Sequence, residues 1–467
     1  MSADTSSPIL SESLLRRHDV AGPRYTSYPT ADRFVETFGA AQYEQALTQR
    51  ARAARAGSDA ALSVYVHIPF CAQLCYYCAC NKVVTRHHEQ AGEYLKALQR
   101  ELELQLAVLG TGQALTQLHF GGGTPTFMSD TELTSLMALL RRSFSFRPDA
   151  ELSIEVDPRT VDAQRLAHLK TLGLNRLSFG VQDFDPDVQQ AVHRVQPFDS
   201  VRTLMHSARE IGFDSINVDL IYGLPRQTPQ SFDRTIAQVA GLRPDRIALY
   251  AYAHLPQRFK PQRRILSSDL PPPGDRVQML GAALAGFLDL GYAHIGMDHF
   301  ALHGDALAAA KREGRLHRNF QGYSTQPDCD LIALGVSAIG KIGPTFSQNV
   351  KTLGPYYDAL NQGQLPIERG LALNRDDLLR RDVIMALMCQ GRVDFATIEA
   401  VHGVLMQEAF AAELERLEPL AEQGFVEIEP RAVQVTALGW YFVRAVAMVF
   451  DRYLNANVLR ERFSRII

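Results

Sequence analysis

Four of the six cysteines in this 467-residue chain fall at positions 71, 75, 78 and 80. The run Cys71-Ala72-Gln73-Leu74-Cys75-Tyr76-Tyr77-Cys78 has the spacing C-x3-C-x2-C. Three thiolates can hold three irons of a [4Fe–4S] cluster and leave one iron without a protein ligand. An open iron can chelate the amino and carboxylate groups of a methionine moiety. Electron transfer to its sulfonium then cleaves a C–S bond and releases a 5′-deoxyadenosyl radical, chemistry that belongs to the cofactor. Cys80 opens a second possibility, a closed zinc site with four cysteine ligands. Zinc knuckles usually come as two separated pairs; the second pair is missing here, and two thiolates one residue apart crowd a single cubane. Clustering in a reducing cytosol favours a metal site over a disulfide framework. Cys329 and Cys389 read as buried structural thiols.

The elements that must carry this loop alternate between short β-rich runs and longer helical patterns. Residues 63–68 read as the first strand, 115–120 as the second, 151–156 as the third, 175–180 as the fourth, 215–221 as the fifth and 246–251 as the sixth. Residues 89–109 and 131–144 carry apolar residues at helical spacing, and 279–288 reads as a core helix. Six strands separated by helices imply an α/β fold with a parallel sheet, curled by right-handed crossovers into a partial (β/α)6 TIM-like barrel. Such a barrel places its chemistry at the C-terminal ends of its strands. The polar residues fall there: the cysteine loop after strand one, Gly121-Gly122-Gly123-Thr124-Pro125 after strand two, Glu155 and Asp157 at strand three, Gln182 after strand four, Asp219 on strand five. Taken singly, the glycine run is a tight turn, Glu155 a barrel-end salt bridge, Asp219 a strand-end cap, Arg194 a solvated charge and Tyr65 packing. Their conjunction at strand ends is the signal.

Residues 1–45 form a polar arm holding Gly22-Pro23-Arg24-Tyr25-Thr26-Ser27-Tyr28-Pro29-Thr30. Two prolines make a long regular element there unlikely to form. Residues 46–350 are expected to be the catalytic barrel and 351–467 a separate, mostly helical domain of winged-helix type. In the latter, 375–387 and 410–423 read as helices, 424–428 and 432–436 as short strands, and Asn374 and Thr436 as N-caps.

A net charge of −3 argues against a nucleic-acid partner, which calls for a basic face. The N-terminus lacks the basic and apolar regions of a signal peptide, and no apolar run nears the roughly 18 residues that span a bilayer. A cytoplasmic protein without a membrane partner is expected, and a monomer, since no obvious dimer helix is present.

At the cysteine loop the chain resembles the radical S-adenosylmethionine (SAM) superfamily. The longer run Pro69-Phe70-Cys71 through Cys78-Ala79-Cys80-Asn81-Lys82 is similar to the oxygen-independent coproporphyrinogen III oxidases within it. So are residues 23–31, 119–126, 180–183, 217–225 and 319–323, with the resemblance running from about Pro23 to Gly340 and weaker echoes at Arg381-Asp382. It implies an oxidoreductase of porphyrin and haem biosynthesis. The reaction would be oxidative decarboxylation of two propionates of coproporphyrinogen III to the vinyl groups of protoporphyrinogen IX, by a 5′-deoxyadenosyl radical and without oxygen.

The resemblance also implies a [4Fe–4S] cluster, two SAM molecules and an electron donor such as flavodoxin or ferredoxin. Residue by residue, Cys71, Cys75 and Cys78 match the cluster ligands, and Cys80 a cysteine that is not one. Tyr65, Gly122, Glu155 and Ile339 match contacts to the SAM on the open iron. Tyr77, Gly123, Thr124, Gln182, Arg194, Asp219 and Ala253 match contacts to the second SAM. Arg24, Tyr25 and Tyr28 are expected to fold over the site and bind the substrate's four carboxylates. Two alternatives stay in view: a haem-trafficking chaperone of the same fold, for which a truncated arm and no Cys80 are expected, and a radical SAM methyltransferase.

Overall fold

The computed structural model describes residues 21–57 and 60–454, together with Leu14, Arg17 and His18. The rest of the expected arm's first twenty residues and the last thirteen of the expected C-terminal domain lie outside the described residues.

The sheet is built on six parallel strands: β1 (Leu62–Ile68), β2 (Gln113–Gly122), β3 (Phe144–Val156), β4 (Arg176–Gln182), β5 (Ser215–Tyr222) and β6 (Arg246–Ala251). Each is followed by a helix that returns the chain to the sheet: α1 (Glu89–Leu109), α2 (Asp130–Ser143), α3 (Ala163–Thr171), α4 (Phe198–Ile211), α5 (Pro229–Leu242) and α6 (Pro273–Asp289). In α1 the buried positions Ala91, Tyr94, Ala97, Leu98, Glu101, Leu102, Gln105 and Leu109 follow helical spacing, so one stripe faces the sheet. A capping box of Ser129 and Glu132 starts α2. All residues of β1 but Tyr65 are buried, as expected of a strand covered on both faces.

The partial (β/α)6 barrel is thus present, and the sheet extends past it at both edges. Beyond β6 lie β8 (His299–Leu302) and then β7 (Tyr292–Gly296), both antiparallel. Beyond β1 lie β9 (Asp330–Leu334), parallel to it, and the antiparallel β10 (Ile339–Ile342), β11 (Thr345–Asn349) and β12 (Ile367–Ala372). The boundary expected at 350 therefore needs correction: β12 pairs with β11 and belongs to the barrel sheet. The boundary expected at 45 falls inside a helix, Ala40–Arg55, whose buried face packs against the same core.

After β12 comes a small domain. Helix α7 (Arg375–Gln390) is capped by Asn374, which accepts from the Asp377 N–H at 2.9 Å, and further helices pack against a three-stranded antiparallel sheet. Those strands are β13 (Arg392–Asp394), β14 (Val426–Glu429) and β15 (Ala432–Val435), in the order β13-β15-β14. The arm packs here too. Tyr25 and Tyr28 are fully buried in the core shared by this domain and the β7–β8 hairpin.

Candidate active site

The cysteine loop leaves the C-terminal end of β1 and is tied down on three sides. From β2, the Gly123 N–H donates to the Ile68 carbonyl and the Thr124 N–H to the Phe70 carbonyl, both at 2.8 Å. From the segment after β4, the Val192 carbonyl accepts from the Tyr76 N–H at 2.9 Å, and the Leu74 carbonyl lies 2.8 Å from His193 Nδ1. From the segment after β6, Gln262 donates to the Tyr77 carbonyl at 2.9 Å and to the Ala253 carbonyl at 3.1 Å.

The glycine run serves this anchoring. A Cβ on Gly123 would lie 2.5 Å from the Pro69 carbonyl oxygen, and one on Gly122, at φ +115°, would lie 2.7 Å from the His67 ring. The close approach these glycines permit is to the protein's own β1 and cysteine loop.

The loop opens onto a cavity of about 250 Å3 at the strands' C-terminal ends. Its walls bring together Cys71, Cys75, Tyr77, Cys78, Gly122, Gly123, Thr124, Glu155, Gln182, Arg194 and Asp219, all expected from sequence. Lys82, Asp157, Arg159, Ser178 and Tyr250 line it as well; of these, only Asp157 was marked by its strand-end position. Below it, deeper in the barrel, a second cavity of about 80 Å3 is lined by His119, Arg176, Asn217, Arg246, His299 and Gln321 among others, and shares Glu155, Ser178, Asp219 and Tyr250 with the first.

Glu155, on β3, accepts from the Gly122 N–H at 3.0 Å and faces His119 Nε2 at 3.4 Å, while its side chain stays 44% exposed toward the cavity. Asp219, on β5, accepts from Ser178 at 3.1 Å and Asn217 at 2.9 Å. Burial and, secondarily, the nearby Glu155 push its pKa up to about 6. Asp157 is also pushed up by burial, but hydrogen bonds from Arg159 and the charge of Arg194 outweigh this and hold it below its ordinary value.

Tyr65 lies beneath the glycine run. Its hydroxyl donates to His67 Nδ1 at 3.1 Å, because His67 Nε2 donates to the Asn81 carbonyl at 3.0 Å. Burial lowers the His67 pKa against the opposing pull of the Asn81 carbonyl and Glu155. Ala253 and Ile339 do not line either cavity; Ala253 contributes the carbonyl held by Gln262, and Ile339 sits on β10.

The arm residues divide. Arg24 pairs with Asp298 and lies 5.2 Å from the ring of the cavity residue Tyr250. Tyr25 and Tyr28 do not reach the cavity. The Tyr25 hydroxyl donates to Asp451, and the Tyr28 hydroxyl accepts from the Arg452 N–H at 3.3 Å, so burial against the C-terminal domain consumes both phenols.

The donor set suits a cluster and a zwitterionic ligand. Four thiols, those of Cys71, Cys75, Cys78 and Cys80, and three carboxylates, those of Glu155, Asp157 and Asp219, face one cavity, and the buried Arg194 Nε has no hydrogen-bond partner among the described residues. No three His, Cys, Asp or Glu side chains among the described residues converge on a single ion. A cubane spreads its ligands over separate irons, so its thiolates need not converge in that way.

Residues 65–239 match the Radical SAM superfamily, and residues 373–442 match the HemN C-terminal domain. The oxygen-independent coproporphyrinogen III oxidase of Escherichia coli strain K12 is 48% identical over 97% of this chain and 98% of its own length. The chain belongs to the oxygen-independent coproporphyrinogen III oxidase family. The Pseudomonas aeruginosa relative of the same name is 47% identical over the same shares of each chain. A solved Escherichia coli coproporphyrinogen III oxidase, described as a radical SAM enzyme, superposes with a TM-score of 0.88 over 92% of this chain and 98% of its own. Membership of this oxidase family brings a [4Fe–4S] cluster and SAM to the site. No helix among the described residues is long and apolar enough to cross a membrane.

Proposed function

We propose that this chain converts coproporphyrinogen III to protoporphyrinogen IX without oxygen, in haem biosynthesis, by oxidative decarboxylation of two propionates. The observation that carries this reading is the convergence of Cys71, Cys75, Cys78, Glu155, Arg194 and Asp219 on one cavity, in a chain nearly half identical to oxidases of that name over their full length. Each propionate loses a hydrogen atom, carbon dioxide and one electron, the electron passing to a separate one-electron acceptor, which leaves a vinyl group.

Cys71, Cys75 and Cys78 hold the cluster, and Cys80 is not a ligand. When bound, the cluster and SAM supply hydrogen-atom abstraction at the propionate β-carbon. The chain's own residues orient two SAM molecules. Glu155 presents an exposed carboxylate to the ammonium of the first, alongside Gly122, with Tyr65 packed beneath the glycine run and Ile339 on β10 outside the cavity wall. Arg194 offers its free Nε–H to the carboxylate of the second. Asp219 accepts from ribose hydroxyls, Tyr77, Gly123, Thr124 and Gln182 line that pocket, and Ala253 stands behind it with its carbonyl held by Gln262. Arg24, at the rim beside Tyr250, meets a substrate carboxylate. The electron donor is a flavodoxin or ferredoxin, and the protein works as a cytoplasmic monomer.

The test is anaerobic incubation of the reconstituted protein with SAM, a reductant and coproporphyrinogen III. Protoporphyrinogen IX is the expected product. Tight porphyrin binding without any vinyl product would replace the enzyme reading with that of a haem-handling chaperone.

A further inference from the structure

Asp157 stands between two guanidinium groups. Its Oδ2 accepts from Arg159 Nη2 at 2.7 Å and from Arg194 Nη1 at 3.1 Å. Each of those same nitrogens lies 3.5 Å from the sulfur of Cys75. The side chains of Arg159, Asp157 and Arg194 are 15%, 9% and 8% exposed. Arg159 is braced further: Nε donates to Asp157 at 3.0 Å and Nη1 to Gln73 at 2.9 Å, on the cysteine loop itself. Arg194 Nη2 donates to the Gly180 carbonyl at 2.6 Å.

Buried charges need partners. Two cations share one carboxylate here, so one positive charge is left over, and Cys75 is the anion-forming group both guanidiniums touch. No other cysteine of the motif meets a guanidinium, and the one cation against the Cys78 thiol is the Lys82 ammonium. Cys71 receives only the Thr124 hydroxyl, at 3.4 Å, and the Lys82 ammonium near Cys78 donates to that residue's carbonyl, at 2.9 Å.

We infer that Asp157 and Arg159, with Arg194, form a cationic clamp on Cys75 that raises the reduction potential of the cluster. Donors and positive charge at a cluster thiolate stabilise the reduced, more negative state, which is one of the ways a protein tunes an iron–sulfur centre. Arg159 is a positioning and tuning residue: it reaches neither substrate nor SAM in the reading above. The clamp makes one corner of the cluster electrostatically distinct and eases entry of the electron there. The inference rests on Cys75 being a ligand.

The experiment is a redox titration of the reconstituted full-length protein, followed by the electron paramagnetic resonance of the reduced cluster, without SAM. Arg159→Gln is expected to keep its iron and to shift the midpoint to a more negative potential. Arg159→Lys, which keeps a charge but loses the fork, is expected to fall between the two. An unchanged midpoint in Arg159→Gln overturns the inference. So does loss of the cluster from Arg159→Gln, which would make the residue part of the site's construction. A wild-type chain that takes up no cluster would fail at the ligand assignment instead, and its missing signal separates that result from the other two.

Discussion

The hydroxyl of Tyr25 donates a 3.0 Å hydrogen bond to the carboxylate of Asp451, 426 positions further along the chain, and both groups are buried. This contact ties the arm to the end of the C-terminal domain. Arg444, which donates to the Pro23 carbonyl at 3.0 Å, and Arg33, which donates to the Tyr453 carbonyl at 2.8 Å, reinforce it. Tyr25→Phe keeps the ring and removes the donor, leaving a buried carboxylate short of a partner. The expected cost is about 1–3 kcal/mol in denaturant unfolding. A change within a few tenths of a kcal/mol would mean that the arm is held by ring packing alone.

Arg24 is the arm residue beside the cavity. Its ion pair with Asp298 holds that carboxylate well below the usual range, since the charges of Arg24 and His299 outweigh burial. Arg24→Ala is expected to lower turnover of coproporphyrinogen III, chiefly through a higher KM, with iron content unchanged. Loss of the cluster in this variant would remove Arg24 from the substrate and make it a structural brace.

Gly123 is expected to tolerate no side chain. In Gly123→Ala the new methyl meets the Pro69 backbone at 2.5 Å, and a backbone atom cannot rotate away. Overpacking of this kind costs about 1–3 kcal/mol, here by pushing the cysteine loop off β2. Lower iron retention after desalting, together with a lower Tm, is the expected readout. A fully loaded Gly123→Ala protein would show that the loop does not depend on this contact.

A third carboxylate far from the site sets a pH dependence. Glu101, wholly buried on α1, accepts from the Gly335 N–H at 2.7 Å and from Asn349 and Tyr356 at 2.6 Å. Burial outweighs these bonds and pushes its pKa up to about 7, from an ordinary value of 4.5. A raised folded-state pKa means that the native protein holds this proton while the unfolded chain loses it. Glu101 therefore withdraws stability as pH rises from about 4.5 to about 7, by an amount on the order of a few kcal/mol. Glu101→Gln is expected to remove that part of the slope when unfolding is followed across this window. Parallel pH profiles for the two proteins would mean that Glu101 is ionised throughout.

Much of this was legible in the sequence. The strand at 246–251 and the helix at 89–109 have the bounds that their patterns predict, because the strand's first four residues are buried and the helix buries one stripe at uninterrupted helical spacing. The strand-end positions of Glu155, Gln182 and Asp219 gave the cavity its floor before any geometry. The sheet's outer strands were missed because they are four to six residues long, carry polar side chains such as those of Thr345, Ser347 and Gln348, and pair mostly antiparallel, outside the strand–helix–strand rhythm of the barrel. Tyr25 and Tyr28 misled because a buried phenol and a ligand-binding phenol look alike in sequence; only the positions of Asp451 and the Arg452 N–H separate them. Arg159 carried one usable signal, its place two residues beyond Asp157 at a strand end, but its other partners, Gln73 and Cys75, lie more than 80 residues away.

The central claim is that three of the four clustered cysteines carry the chemistry. The most direct measurement compares wild type, Cys75→Ala and Cys80→Ala after anaerobic reconstitution, with iron, 5′-deoxyadenosine and protoporphyrinogen IX determined in the same samples. The account predicts that Cys75→Ala loses all three together and that Cys80→Ala keeps a full complement of iron. Vinyl product from Cys75→Ala, or a cluster that survives in Cys75→Ala but not in Cys80→Ala, would contradict it.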